Sequence, residues 1–379
     1  MDLQHIHTLE EIIANAQDDQ FPNNMGKKHY ERYTELKSKF ASRFDVELGA
    51  MATGIEEWIT KTATEVEAIN QLPDKSERTR KLADIFANDP IIFLNRHDGS
   101  HISMVQEKTL QILRCFNSEH LTTYEIYILL CASVVHDIGN ITGRKEHERK
   151  IKYILDSECA SILPDTLERT VISRVARAHG GGAVDTISNL KDDYPLYGFS
   201  IRERVLAAIL RFADELADDY TRANYSGLKS DVISSASKIY HMYSSCLHTV
   251  NIQKNLATGS YEVFLAYSFD TVTACTRYGV AGKEKFLLDE IYDRTLKMER
   301  ERRYCIRYMR PYCQLERIKV NITIMDPHDE FKTYPINYSL EEKGYPVTPY
   351  TTILDAGSNL RTGDEWFAEL SKVGDSNEQ

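Results

Sequence analysis

Hydrophobic positions recur at helical spacing up to about residue 245, and at every second position in the strand-like runs beyond it. Leu9, Ile12 and Ile13, then Tyr30, Tyr33 and Leu36, then Leu82, Ile85 and Phe86 keep the helical period. The polar breaks at Phe21-Pro-Asn-Asn and Pro73-Asp-Lys-Ser separate these runs and predict a helical extension over residues 1–90. Further along, Ile102, Val105, Leu110 and Leu113 line one helix face, and Ile126 to Val135 is nearly continuously apolar, the signature of a helix buried on most faces. Residues 201–219 place Ile201, Val205, Ile209, Phe212 and Leu216 on one stripe; Asp214 lies off it but shares a face with Ala207 and Leu210, so it points inward from apolar surroundings. Later, Tyr261, Val263, Leu265, Tyr267 and Phe269, and again Ile318, Val320, Ile322 and Ile324, alternate with smaller or more polar residues and read as half-buried strands. Between them Glu284 to about Tyr312 reads as a long charged helix, and the chain beyond 340 as loop-rich. The pattern therefore predicts a mainly α protein: an N-terminal extension (1–90), a helical core (91–240), an α+β unit (241–340) and a tail (341–379).

Composition narrows the function classes. With 42% hydrophobic and 27% charged residues over 379 positions, the chain has the make-up of a soluble globular protein. No basic start leads into an apolar segment and no apolar run reaches membrane-spanning length, so the expectation is a cytoplasmic protein without a membrane partner. The seven cysteines form no Cys-x-x-Cys pair and read as reduced core residues. A net charge of -11 argues against a surface that grips nucleic acid by neutralising phosphates. Against that, seven basic residues fall between Arg294 and Arg310, either a solvated helix face offset by Glu299 and Glu301 or a face for phosphate or a partner.

The candidate chemistry lies where the apolar run ends, at His136-Asp137. A buried His-Asp pair is costly unless both groups find a partner, and a divalent metal satisfies both. The dipeptide occurs three times, at His97-Asp98, His136-Asp137 and His328-Asp329, but only the second closes an apolar helix. It alone is succeeded in order by His147 at a helix start, His179 near a helix end and Asp214 within a buried helix. The esterase-like His179-Gly-Gly-Gly has no Gly-x-Ser-x-Gly elbow to accompany it, and Gly282-Lys283 lacks the rest of a P-loop.

The ordered set His101, His136-Asp137, His179 and Asp214, with the closing segment Leu210-Arg-Phe-Ala-Asp214-Glu-Leu-Ala-Asp-Asp, resembles the HD-domain superfamily of metal-dependent phosphohydrolases over about residues 90–225. The resemblance implies an all-helical HD core with metal held between its helices. His147, in Glu146-His-Glu-Arg-Lys, is similar to the histidine that opens the next helix in two-metal members. One or two divalent ions are then expected, of manganese, iron, nickel, cobalt or magnesium type rather than calcium. Asp137 would be the catalytic bridge, with His101, His136 and Asp214 on the first ion and His147 and His179 on the second. His97 would reach the substrate from one turn before His101, and Arg144, Lys145 and Arg222 would donate to its phosphates. The implied activity is phosphohydrolase or phosphodiesterase action on a nucleotide by a metal-activated hydroxide. Two alternatives stay open: a metal-dependent single-strand nuclease, and an HD-type sensor or interaction protein working with a partner ATPase or as a homo-oligomer. Where family members that cleave cyclic dinucleotides carry Lys and Gly-Tyr-Pro, this chain has Asn140 and Gly180-Gly-Gly.

Overall fold

The structure is a computed structural model, and it describes residues 3, 5–41, 64–65, 67–69, 71–74, 77–78, 81, 99–117, 120–142, 147–180, 185–229, 233, 235–279, 282–341 and 350–376. Contacts divide the chain into two compact units that alternate along the sequence. One comprises Met1–Glu47, His97–Ala217 and Glu301–Leu315; the other comprises Leu48–Arg96, Asp218–Arg300 and Glu316–Gln379.

The first unit is helical and is organised around one helix. Its helices are α1 (Leu9–Ala14), α2 (26–41), α3 (Gly99–Arg114), α4 (Thr123–Val135), α5 (His147–Glu158), α6 (Thr166–Arg177) and α7 (Glu203–Leu216). Every residue of α4 is buried, as its unbroken apolar run requires. Helices α1, α3, α6 and α7 pack against α4, and α5 packs against α6. The start of α4 is fixed by a capping box: the Thr122 hydroxyl accepts from the Glu125 N–H, while the Glu125 carboxylate accepts from the Thr122 N–H at 2.8 Å. That same carboxylate, fully buried, takes a forked pair of bonds from Arg202 at 2.9 and 2.7 Å and a third from the Arg202 backbone N–H at 3.0 Å. One side chain thus ties the beginning of α4 to the approach of α7. From the N-terminal segment, Tyr33, Leu36 and Phe40 of α2 enter the core, and His29 Nε2 lies 3.2 Å from the buried Glu168 carboxylate of α6.

One feature departs from the sequence reading of an all-helical core. Strands β1 (Tyr194–Leu196) and β2 (Phe199–Ile201) form an antiparallel hairpin before α7. Its two-residue turn, Tyr197 at φ 52° and Gly198 at φ 86°, has the paired left-handed conformation that matches strand twist. Within the charged stretch, Glu301 pairs with Arg211 of α7 at 2.6 and 2.8 Å.

The second unit is α+β. An antiparallel pair β3 (Leu247–Lys254) and β4 (Tyr261–Asp270) continues into β5 (Leu315–Asp326) and β6 (Asp329–Glu341), in the spatial order β3-β4-β5-β6. Ile318, Val320, Ile322 and Ile324 are fully buried on alternate positions, which is the period-two pattern expressed as one covered face. Helices α8 (Ser235–Cys246) and α9 (Leu287–Met309) reach that sheet through hydroxyl pairs: Tyr243 with Tyr267 at 3.0 Å and Thr295 with Tyr338 at 2.8 Å. The segment read as loop-rich carries a further helix, α10 (Gly363–Ser376). Thr362 and Glu365 exchange cap hydrogen bonds at its start, and Asp289 accepts from the Gly363 N–H at 2.9 Å. Among the described residues no helix is long and apolar enough to cross a membrane.

Candidate metal centre

Five helices of the first unit deliver six polar side chains to one place. His101 sits in the first turn of α3, His136 and Asp137 close α4, His147 is the first residue of α5, His179 lies just past the end of α6, and Asp214 is in the last turn of α7. The centre of the group is Asp137. Its Oδ2 lies 3.5 Å from His136 Nε2 and 3.8 Å from His101 Nε2, and its Oδ1 lies 3.3 Å from His147 Nε2 and 3.6 Å from His179 Nε2. The Oδ1 of Asp214 is 3.1 Å from His101 Nε2 and 3.5 Å from His136 Nε2. One carboxylate therefore faces two imidazole pairs, one with each oxygen, and the second carboxylate joins one of the pairs.

This arrangement fits a divalent metal on three grounds. Ligand atoms about 2 Å from a common ion lie about 3–4 Å from one another, and two groups, His101 with His136 and Asp137, and Asp137 with His147 and His179, each place their atoms within 4.8 Å. The imidazoles are also oriented for it. His136 Nδ1–H donates to Ser133 O at 2.8 Å and His179 Nδ1–H to Ala176 O at 2.5 Å, which fixes both rings with Nε2 turned inward as the ligand atom. Finally, the buried Nε2 of His136 has no hydrogen-bond partner and its nearest carboxylate oxygens stand off at 3.5 Å, a spacing suited to an ion between them.

Charge at the site is strongly coupled. Burial alone would push His136 toward the neutral form, but the carboxylates of Asp137 and Asp214 outweigh it and raise its pKa to about 9. Burial would likewise raise Asp214, yet the hydrogen bond from His101 and the positive charge of His101 and His136 hold it well below the ordinary carboxylate range. The metal-free site thus stores a proton where a cation can sit.

Sequence reasoning passed over three residues that build this geometry. Gly139 allows His147 to approach, since a Cβ there would overlap the His147 carbonyl group. Gly180 does the same beside His179, where a Cβ would overlap the Glu148 carboxylate. Glu148 itself places Oε2 3.7 Å from His147 Nδ1, on the ring edge away from Asp137. None carries a periodicity signal; only the adjacency of Gly139 to the Asp137 turn and of Gly180 to His179 marked them. Of the proposed substrate contacts, His97, Arg144 and Lys145 lie outside the described residues, and Arg222 is buried in the turn Tyr220–Arg222 of the second unit.

Comparison with known proteins adds one finding. The family model described as HD-CE matches residues 79–296, more than half of the chain and a span that contains all six of these side chains. No curated protein and no solved structure gave a match.

Proposed function

The chain belongs to the HD-CE family, and from that premise we propose that it is a metal-dependent phosphohydrolase that cleaves a phosphoester or phosphoanhydride bond in a nucleotide. The observation that carries this reading is the division of Asp137 between two imidazole pairs, 3.3 and 3.6 Å on one oxygen and 3.5 and 3.8 Å on the other. In it His101, His136 and Asp214 would hold one ion and His147 and His179 a second, with Asp137 shared between them. Ions so held would supply activation of a water nucleophile and charge stabilisation at phosphoryl oxygens.

The remaining work falls to the protein. The backbone carbonyls of Ser133 and Ala176 accept from Nδ1 of the His136 and His179 rings and keep the Nε2 edges turned toward Asp137. Asp214 and His147 keep 27% and 17% of their side-chain surface exposed, so the site is open to a small substrate while His101 and His136, at 1%, anchor its floor. Arg144 and Lys145 are the proposed phosphate donors, and His97 a further substrate contact.

The test is a turnover panel with the purified full chain, supplied in turn with manganese, iron, nickel, cobalt and magnesium. Its substrates are dNTPs, NTPs, cyclic nucleotides, alarmones and single-stranded DNA and RNA. Hydrolysis of a mononucleotide-type substrate that disappears in Asp137→Ala is the expected result. Cleavage confined to polynucleotides would favour the nuclease reading, and no turnover of any substrate with any metal would overturn the enzyme.

A further inference from the structure

Each of the six side chains at the centre is held by a helix or by the turn that closes one: His101, His147 and Asp214 lie within α3, α5 and α7, His136 and Asp137 close α4, and His179 follows Ala178, the cap of α6. The His179 N–H bonds back to Ala176 O at a long 3.4 Å, and its side chain is only 6% exposed and directed at Asp137. The carbonyls on either side of His179 are held from outside α6.

The geometry points to Arg211 as the positioning residue for His179, and so for the second of the two proposed ions; the inference rests on the two-ion reading above. Arg211 Nη1 donates to the carbonyl oxygens of the residues on either side of His179, Ala178 at 3.4 Å and Gly180 at 3.1 Å. The Thr186 hydroxyl donates to the same two oxygens at 2.9 and 3.2 Å and accepts from Nη1 at 3.3 Å. The guanidinium is in turn held in orientation. Glu301 takes a forked pair from its Nε and Nη2 at 2.6 and 2.8 Å, and the Tyr304 ring lies 4.8 Å from its central carbon. Tyr304 extends the bracket, since its hydroxyl donates to Asp185 Oδ1 at 2.6 Å and accepts from the Ile187 N–H at 3.0 Å.

A planar fork is needed because two divergent carbonyls and a carboxylate must be met at once, which a lysine ammonium on a flexible stem does not do. Burying this ion pair is not a cheap route to stability, since paired charges in a core often do no better than apolar residues of the same volume. Its distinguishing feature is what it holds. Arg211 is three residues before Asp214, so α7 serves the first ion through the carboxylate and the second through the guanidinium.

The experiment is metal titration of the full-length chain and of Arg211→Gln, Arg211→Lys and Thr186→Val with manganese, read by bound equivalents and by the electron paramagnetic resonance signal of a spin-coupled manganese pair. Circular dichroism confirms that each variant is folded. The expected result is that Arg211→Gln and Arg211→Lys keep one equivalent at wild-type affinity, lose the second by about 10–100-fold, and lose the coupled signal. Should the arginine variants fail to fold, Thr186→Val, which removes the second donor to the same carbonyls, is expected to weaken the second equivalent alone. Two equivalents of unchanged affinity in a folded variant, or equal weakening of both, would overturn the inference while leaving the two-ion reading standing. A wild-type chain that binds only one ion would overturn that reading, and this inference with it.

Discussion

Raising the pH is the most informative perturbation of the candidate metal centre, because a proton on His136 would compete with an ion for one site. With its pKa at about 9 in the metal-free protein, His136 is protonated at pH 7, and a ligand imidazole must be neutral. Removing that proton at pH 7 costs about two pH units, on the order of 3 kcal/mol, which lowers the apparent metal affinity about a hundredfold below its alkaline limit. The groups that set this value are Asp137 and Asp214, with His101 and His179 packed tilted and edge-on against the same ring. Affinity therefore rises about tenfold per pH unit from pH 6.5 toward 8.5 and levels off near 9, and each mole of metal at this subsite releases about one proton at pH 7. Calorimetric titration with manganese in MOPS, HEPES and Tris at one pH reads the released proton from the dependence of enthalpy on buffer ionisation. Enthalpies that do not vary with buffer, together with an affinity flat between pH 6.5 and 8, would refute the argument.

The same proton gives the metal-free fold a pH dependence: its stabilising contribution is fully present below pH 6.5 and is lost as the pH rises through about 9, which urea unfolding in the presence of chelator would show as a falling midpoint. Removing the anchor of α4 with Glu125→Ala leaves Arg202 without its buried partner and should cost about 3–5 kcal/mol in urea unfolding. The paired substitution Glu125→Leu with Arg202→Met should recover most of that loss, and a cost below about 1 kcal/mol for the single variant would contradict the assigned role. Gly139→Ala drives a methyl into the His147 carbonyl, a backbone atom that cannot swing aside, so it should weaken binding of the second ion about 10–100-fold in a manganese titration.

The His/Asp cluster of the candidate metal centre was largely legible in the sequence because its side chains ride on helices whose apolar faces announce themselves. The unbroken run Ile126–Val135 marks a fully buried α4, and the His136-Asp137 pair at the end of such a helix necessarily stands at the edge of the core. The inward direction of Asp214 came from its offset to Leu210 and Ala207, and the structure brings it to His101 and His136. Other features left no periodic trace. Arg211, three residues before Asp214, reads as one polar residue in an amphipathic helix, and its partner Glu301 lies 90 positions away. The β1–β2 hairpin rests on one two-residue turn in which Tyr197, a residue with no preference for that conformation, takes a positive φ. Helix α10 was signalled only by Thr362 and Glu365 at capping-box spacing before Trp366, Phe367 and Leu370. The alternation of the two units along the chain is a property of long-range contacts, to which a local hydrophobic period is blind.

The central claim, two ions bridged by Asp137, is tested most directly by counting metal. Purified protein loaded with manganese and freed of excess should hold two equivalents by mass spectrometry, and His147→Ala, which removes a ligand from one side of Asp137 only, should hold one. A single equivalent in the wild-type chain, or two in His147→Ala, would contradict it.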